Sequence, residues 1–221
     1  MTSEDPRYAP DSSYAWFRLA LALLVGMIAC VGSWSAVVVV TAVQQEFGVL
    51  RADASLPYTF AMIGFGIGNI LMGRLVDRFG IVLPIVLGAL LLGGGYALAS
   101  VSATLWQFAL AHGFLIGLGA ATGFSPLIAD LSHWFRRYRG LAVVFGASGS
   151  YLAGMFWPQL INWGVETHGL RTTHLWLGIA SLVVMLPLAP LFRRRPNAAT
   201  FAAAEAISAG ARGSLGLSPN Q

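Results

Sequence analysis

One cysteine, no lysine and five long stretches without an ionised side chain limit what this 221-residue sequence can be. The lone thiol, Cys30, excludes a disulfide framework and a cysteine-built metal site. All 13 basic residues are arginine, and they fall in short intervals between the uncharged stretches. Those stretches run from Leu19 to Gln45, Ala54 to Gly73, Phe79 to Ala129, Gly140 to Val165 and Thr172 to Phe192. A positively charged leader is missing too. Glu4, Asp5 and Asp11 precede the first apolar run, which is longer than the core of a cleavable signal, so that run is expected to remain as a transmembrane helix.

What is present is apolar length. A helix rising about 1.5 Å per residue needs roughly 20 residues to cross a hydrocarbon layer about 30 Å thick. Four of the stretches supply one crossing each. The stretch from Phe79 to Ala129 supplies two, divided at the polar turn Ser100 to Thr104. Six spans are therefore predicted, near Phe17 to Val43, Leu56 to Val76, Ile81 to Ser100, Leu105 to Asp130, Leu141 to Trp163 and Thr173 to Phe192. Composition agrees: with 57% hydrophobic and 10% charged residues, a soluble globule would lack a wettable surface. The expected fold class is an all-α integral membrane protein. Residues 1–16 would form a cytoplasmic tail, 17–192 the bundle and 193–221 a linker-like cytoplasmic tail rich in Ala, Gly and Ser.

Arginine placement predicts orientation. With six spans, Arg7, Arg18, Arg74, Arg78, Arg136, Arg137, Arg139, Arg193, Arg194, Arg195 and Arg212 share one face, while Arg51 and Arg171 lie opposite. That asymmetry puts both termini in the cytoplasm. The isoelectric point near 9.7 follows from the same arginines, and no nucleic-acid partner is expected because aromatic-interleaved basic patches are missing. Trp16, Trp106, Trp134, Trp163 and Trp176 fall near predicted span ends, as an interfacial belt requires. Small-residue pairs four apart, Gly64 with Gly68, Gly113 with Gly117, Gly119 with Gly123 and Ser150 with Gly154, predict close helix contacts on the second, fourth and fifth spans.

Two motifs go further. After the second span comes Gly73-Arg74-Leu75-Val76-Asp77-Arg78-Phe79-Gly80, where a carboxylate between arginines at a helix end could latch one conformation of a rocking bundle. The bland alternative is that Arg74 and Arg78 only anchor topology. The stretch resembles the G-x-L-a-D-r-x-G signature of the major facilitator superfamily, although Ile81, Val82 and Leu83 stand where that family often continues with basic residues. The second motif is Pro126, then Trp134-Phe135-Arg136-Arg137-Tyr138-Arg139-Gly140-Leu141-Ala142, then Gly146, Gly149, Gly154 and Pro158. It resembles the monocarboxylate transporter and oxalate/formate antiporter branch. An arginine common in the family's fourth span is absent here.

The resemblance implies half of a transporter. Such proteins pair two six-helix halves, each built from two inverted three-helix repeats, around a midplane site. This chain would be equivalent to the N-terminal half, in the plasma (inner) membrane. Its implied activity is alternating-access transport of a small monocarboxylate-like anion together with a second six-helix half or, as a homodimer, a second copy. The contrasting expectation is a non-transporting fragment or membrane scaffold.

Charge near the bilayer centre is costly, and none stands in the interior of these spans: Glu46, Asp53, Asp77, Asp130 and Glu166 fall at ends or in loops. The candidates for a substrate-cavity wall are therefore neutral. They are Ser33 and Trp34 on the first span, Thr122 and Ser125 on the fourth, Ser148 and Tyr151 on the fifth, and His112, the histidine expected within a span. Tyr151 is favoured because its hydroxyl can bond an oxyanion while its ring lines an apolar wall. The hydroxyl-bearing candidates could equally serve only packing or their own backbone, and His112, which could carry a proton or face the pore, could equally make an interhelical hydrogen bond. Asn69, Gln159 and Asn162 could bridge helices. His133, His168 and His174 are placed near the membrane surfaces. No metal site, cofactor or catalytic arrangement is expected.

Overall fold

The computed structural model describes residues 10–194. Arg7, Arg195, Arg212, most of the predicted 1–16 tail and nearly all of the 193–221 tail lie outside the described residues. Within the described residues the chain is helical throughout, without a β-strand. Helix α1 spans Ser13–Val38 and is prolonged by Val40–Phe47; α2 spans Arg51–Phe79, α3 Val82–Val101 and α4 Leu105–Trp134. The helices overrun the predicted spans because their charged last turns, such as Asp77 and Arg78, continue the helix in the polar zone.

The last stretch, Arg139–Leu188, holds 50 residues. At about 1.5 Å each that is more than twice a bilayer's hydrocarbon thickness. It is not one rod, because Gly169 has φ 82° and ψ 164°. That left-handed conformation, open to glycine and strained for other residues, reverses the chain. Two arms result, α5 (139–168) and α6 (170–188). Both free ends return to the start of α1: the Tyr138 amide donates to Asp11, and the Tyr14 hydroxyl donates to the Leu191 carbonyl. With that long helix divided at Gly169, the described residues hold six apolar helices of about bilayer length.

Glycines decide how closely these rods pack. α4 is the hub. A methyl group added at Gly64 of α2 would strike the Gly113 backbone of α4, and one at Gly117 would lie 2.5 Å from the Ala61 carbonyl of α2. Gly119 faces Leu92 of α3, and Gly123 faces Ala29 of α1. Surrounded by α1, α2 and α3, α4 is not a regular helix: it passes through a π segment, Ala111–Gly117, and a 3-10 turn, Ala121–Gly123, before resuming at Ser125–Trp134. The predicted small-residue seams are therefore where helix backbones meet. Gly154 of the Ser150 pair takes a side chain instead, since the Trp34 ring lies against it.

Three sequence expectations are corrected by burial. Trp134 is not part of an interfacial belt; it is fully buried, whereas Trp16, Trp106, Trp163 and Trp176 are exposed. His174 is not at the surface but buried within the bundle. Arg18 is not a solvated orienting charge, being only 1% exposed. In each case the chain position was right, and the direction in which the helix turns the side chain was not written in its neighbours.

Candidate functional site

At one end of the bundle α1, α4 and the end of α6 converge on Arg18. Its guanidinium grips Asp130 in two parallel bonds, Nε to Oδ2 at 2.7 Å and Nη2 to Oδ1 at 2.8 Å. It also donates to the Phe192 carbonyl at 3.1 Å and the Arg194 carbonyl at 3.2 Å. Trp134 and Phe192 present ring faces 4.8 and 5.0 Å from the guanidinium carbon. A planar fork supplies this geometry, and a lysine could not. Sequence reasoning missed the pair. The available signal was depth: Arg18 directly precedes one uncharged run and Asp130 directly follows another, so both stand at the same membrane border.

Beside this pair, Asp11 straps the second motif. Its own amide donates to the Trp134 carbonyl at 3.0 Å, and its carboxylate accepts from the amides of Arg136, Arg137 and Tyr138 at 3.1 to 3.4 Å. These amides precede α5, so a carboxylate there also meets the positive end of the helix. The Arg136, Arg137 and Arg139 side chains remain exposed, as does Gly140. Further along α5, Gly146 faces Leu131 of α4, Gly149 faces Leu23 of α1, and Pro158 lies inside the helix. At the end of α2, Arg74, Asp77 and Arg78 are exposed. Gly80 closes that helix at φ 84°, its amide bonded to the Val76 carbonyl at 2.8 Å, while Gly73 has open space around it. Among the described residues Asp77 takes part in no ion pair, so neither Arg74 nor Arg78 closes a latch with it.

The cavity candidates divide into two groups. One lies along the α1–α5 seam: the Trp34 indole donates to the Ser150 carbonyl at 3.3 Å, and the next residue, Tyr151, points outward, 78% exposed. Ser33 and Ser148 are half-buried on the same two helices, and Ser148 bonds its own helix at the Phe145 carbonyl. Trp157, not singled out from sequence, reinforces this seam by donating to the Met27 carbonyl at 2.7 Å. Exposed apolar side chains continue outward from it, among them Met155 and Phe156.

The second group is turned inward. Thr122 is fully buried, bonded to the Pro84 carbonyl of α3 at 3.3 Å and pressed on Gly88. His112 is fully buried as well, bonded to the Phe108 carbonyl of its own helix. Ser125 donates at 2.6 Å to Asn69, joining α4 to α2 as the amide was expected to do; Gln159 and Asn162 are exposed. The structure therefore places Ser33 and Trp34 of α1 and Ser148 and Tyr151 of α5 on the two helices that meet at this seam, and does not bring Thr122 or His112 to it. No cluster of three or more metal-ligating side chains occurs among the described residues.

Comparison with known proteins assigns a class to this arrangement. Residues 22–218 match the family model for the Major Facilitator Superfamily. The chain is 35% identical over 130 residues to the MFS-type transporter pynF of Aspergillus niger, covering 59% of this chain and 30% of that protein. It is 30% identical over 186 residues to the Saccharomyces cerevisiae protein named "Probable transporter MCH2", covering 82% and 38%. It is 30% identical over 173 residues to monocarboxylate transporter 6 of Homo sapiens, covering 76% and 33%. The chain thus spans only about a third of the length of these relatives.

Proposed function

The chain belongs to the major facilitator superfamily, and from that premise we propose that it forms one six-helix half of a transporter that moves a small monocarboxylate-like anion by alternating access. Transport is the shared description of the relatives above. The anion class is supported by the similarity to monocarboxylate transporter 6 and by the motif from Trp134 to Pro158. The observation that carries the reading is the α1–α5 face. There Trp34 and Tyr151 present a ring and a hydroxyl beside exposed apolar side chains such as Met155 and Phe156, and a second six-helix half, or a second copy, would close this face into a cavity. Tyr151 would donate to a carboxylate oxygen, and the half-exposed Trp34 ring would line the apolar part of the substrate. The exposed Asp77 would find its cation on that second half. Both termini would face the cytoplasm of the plasma membrane, and residues 193–221 would be a cytoplasmic tail.

The test is exchange of labelled lactate in proteoliposomes, with the chain alone and co-assembled with a matching second half. Flux that appears only with the partner and a KM raised several-fold by Tyr151→Phe, at unchanged protein level, are expected. A monomer without flux that does not associate with any second half would overturn the reading in favour of a scaffold. Tags at the two ends that report opposite compartments would overturn the orientation.

A further inference from the structure

Away from the α1–α5 face, the π segment of α4 and the first turn of α6 bring two histidines together. The His112 and His174 rings lie 5.4 Å apart between centroids, and neither side chain is exposed. Each Nδ1 sits on a backbone carbonyl one turn earlier, 3.1 Å from Phe108 and 2.8 Å from Leu170. A carbonyl only accepts, so each Nδ1 must carry the hydrogen, and in a neutral imidazole the other nitrogen then holds a lone pair. Both Nε2 atoms are buried without a hydrogen-bond partner. Two orphaned acceptors thus stand in one buried site, where each is costly.

We propose that His112 and His174 together form a binding site for one proton, held as an Nε2–H⁺···Nε2 hydrogen bond between the two rings. A single proton taken from solvent satisfies both orphaned nitrogens and breaks neither Nδ1–H bond to the backbone. A second would place two imidazolium ions side by side. At this separation and an effective dielectric constant of about 20, the second proton binds on the order of a hundredfold more weakly than the first.

Aromatic rings around the pair offset part of the cost of burying a charge. The Phe108 ring lies 4.4 Å from His112 and 5.1 Å from His174, and the Tyr96 ring lies 5.5 Å from His174. Of the titratable and charged groups nearby, Tyr96 of α3 has its hydroxyl committed to Ser35 of α1 at 2.7 Å. Arg171, three residues before His174, pairs with Glu46 at 2.7 Å and donates to the Ser100 carbonyl. α2 meets the π segment through Phe60, Ala61 and Gly64, which do not titrate. Phe47, next to Glu46, packs on Phe108 at 5.6 Å.

The experiment uses the full chain in lipid nanodiscs carrying His133→Gln and His168→Gln, which leaves the pair as the sole histidines. Nitrogen-15 spectra of the imidazoles are followed from neutral to acidic pH beside far-UV circular dichroism. The expected result is the Nδ1–H tautomer on both rings at neutral pH, then uptake of one proton per chain, with both Nε2 signals moving together while helix content holds. Adding His174→Phe should abolish the shared shift at His112. If that variant does not fold, the tautomers and proton count of the parent decide alone. An Nε2–H tautomer on either ring, two protons bound independently, or no uptake before the helices melt would overturn the proposal.

Discussion

The buried Arg18–Asp130 pair makes an asymmetric prediction. Replacing Arg18 with Met leaves a carboxylate, its side chain 12% exposed, without the one partner recorded for it. Removing one member of a buried pair costs about 3–5 kcal/mol. Asp130→Asn is milder. The amide still accepts one bond, and Arg18 keeps the Phe192 and Arg194 carbonyls and two aromatic faces, so the loss should be nearer that of one charged hydrogen bond, about 1.5–3 kcal/mol. The double change Arg18→Met with Asp130→Leu removes both charges together and should cost less than the single Arg18→Met, by about 2 kcal/mol or more. Equilibrium unfolding in mixed micelles, followed by circular dichroism, measures all three. Additive costs, or an Asp130→Asn variant as unstable as Arg18→Met, would refute the assignment of this pair as a desolvated clamp on α1, α4 and α6.

Three further outcomes follow from packing. Gly64→Ala should destabilise the bundle by about 1–3 kcal/mol, because its methyl meets the Gly113 backbone, whereas Gly66→Ala, with open space around it, should be neutral or slightly stabilising; thermal melts of the two variants compare them. Gly169→Ala meets no atom within 4 Å, so its expected cost of about 1–2 kcal/mol is conformational, and an unchanged melt would contradict the left-handed turn between α5 and α6. Glu46→Gln should change unfolding by less than about 1 kcal/mol, since the Arg171–Glu46 side chains are 47% and 35% exposed, in contrast to the buried pair at the other end.

The spans were legible because hydropathy is a local property: twenty neighbouring residues suffice to show that a segment prefers lipid. The close seams were legible for a similar reason, since a glycine pair four apart marks one helix stripe whatever lies opposite. Rotation was not legible. Thr122, Ser148 and Tyr151 read alike as polar groups in apolar helices, yet Thr122 is sealed against α3 while Tyr151 points outward. A helix apolar on every side carries no stripe to show which face turns inward.

Sequence alone settled the solvent and where the apolar helices run, because transfer of each segment into lipid depends on that segment's own side chains. Only the folded bundle decided that Arg18 meets Asp130, that Asp11 caps the amides before α5, and that His112 faces His174. Those partners are separated by dozens of residues or more. Their meeting depends on the depth, rotation and distortion of helices around α4, which are fixed jointly by every backbone contact in the bundle and by no single stretch of it.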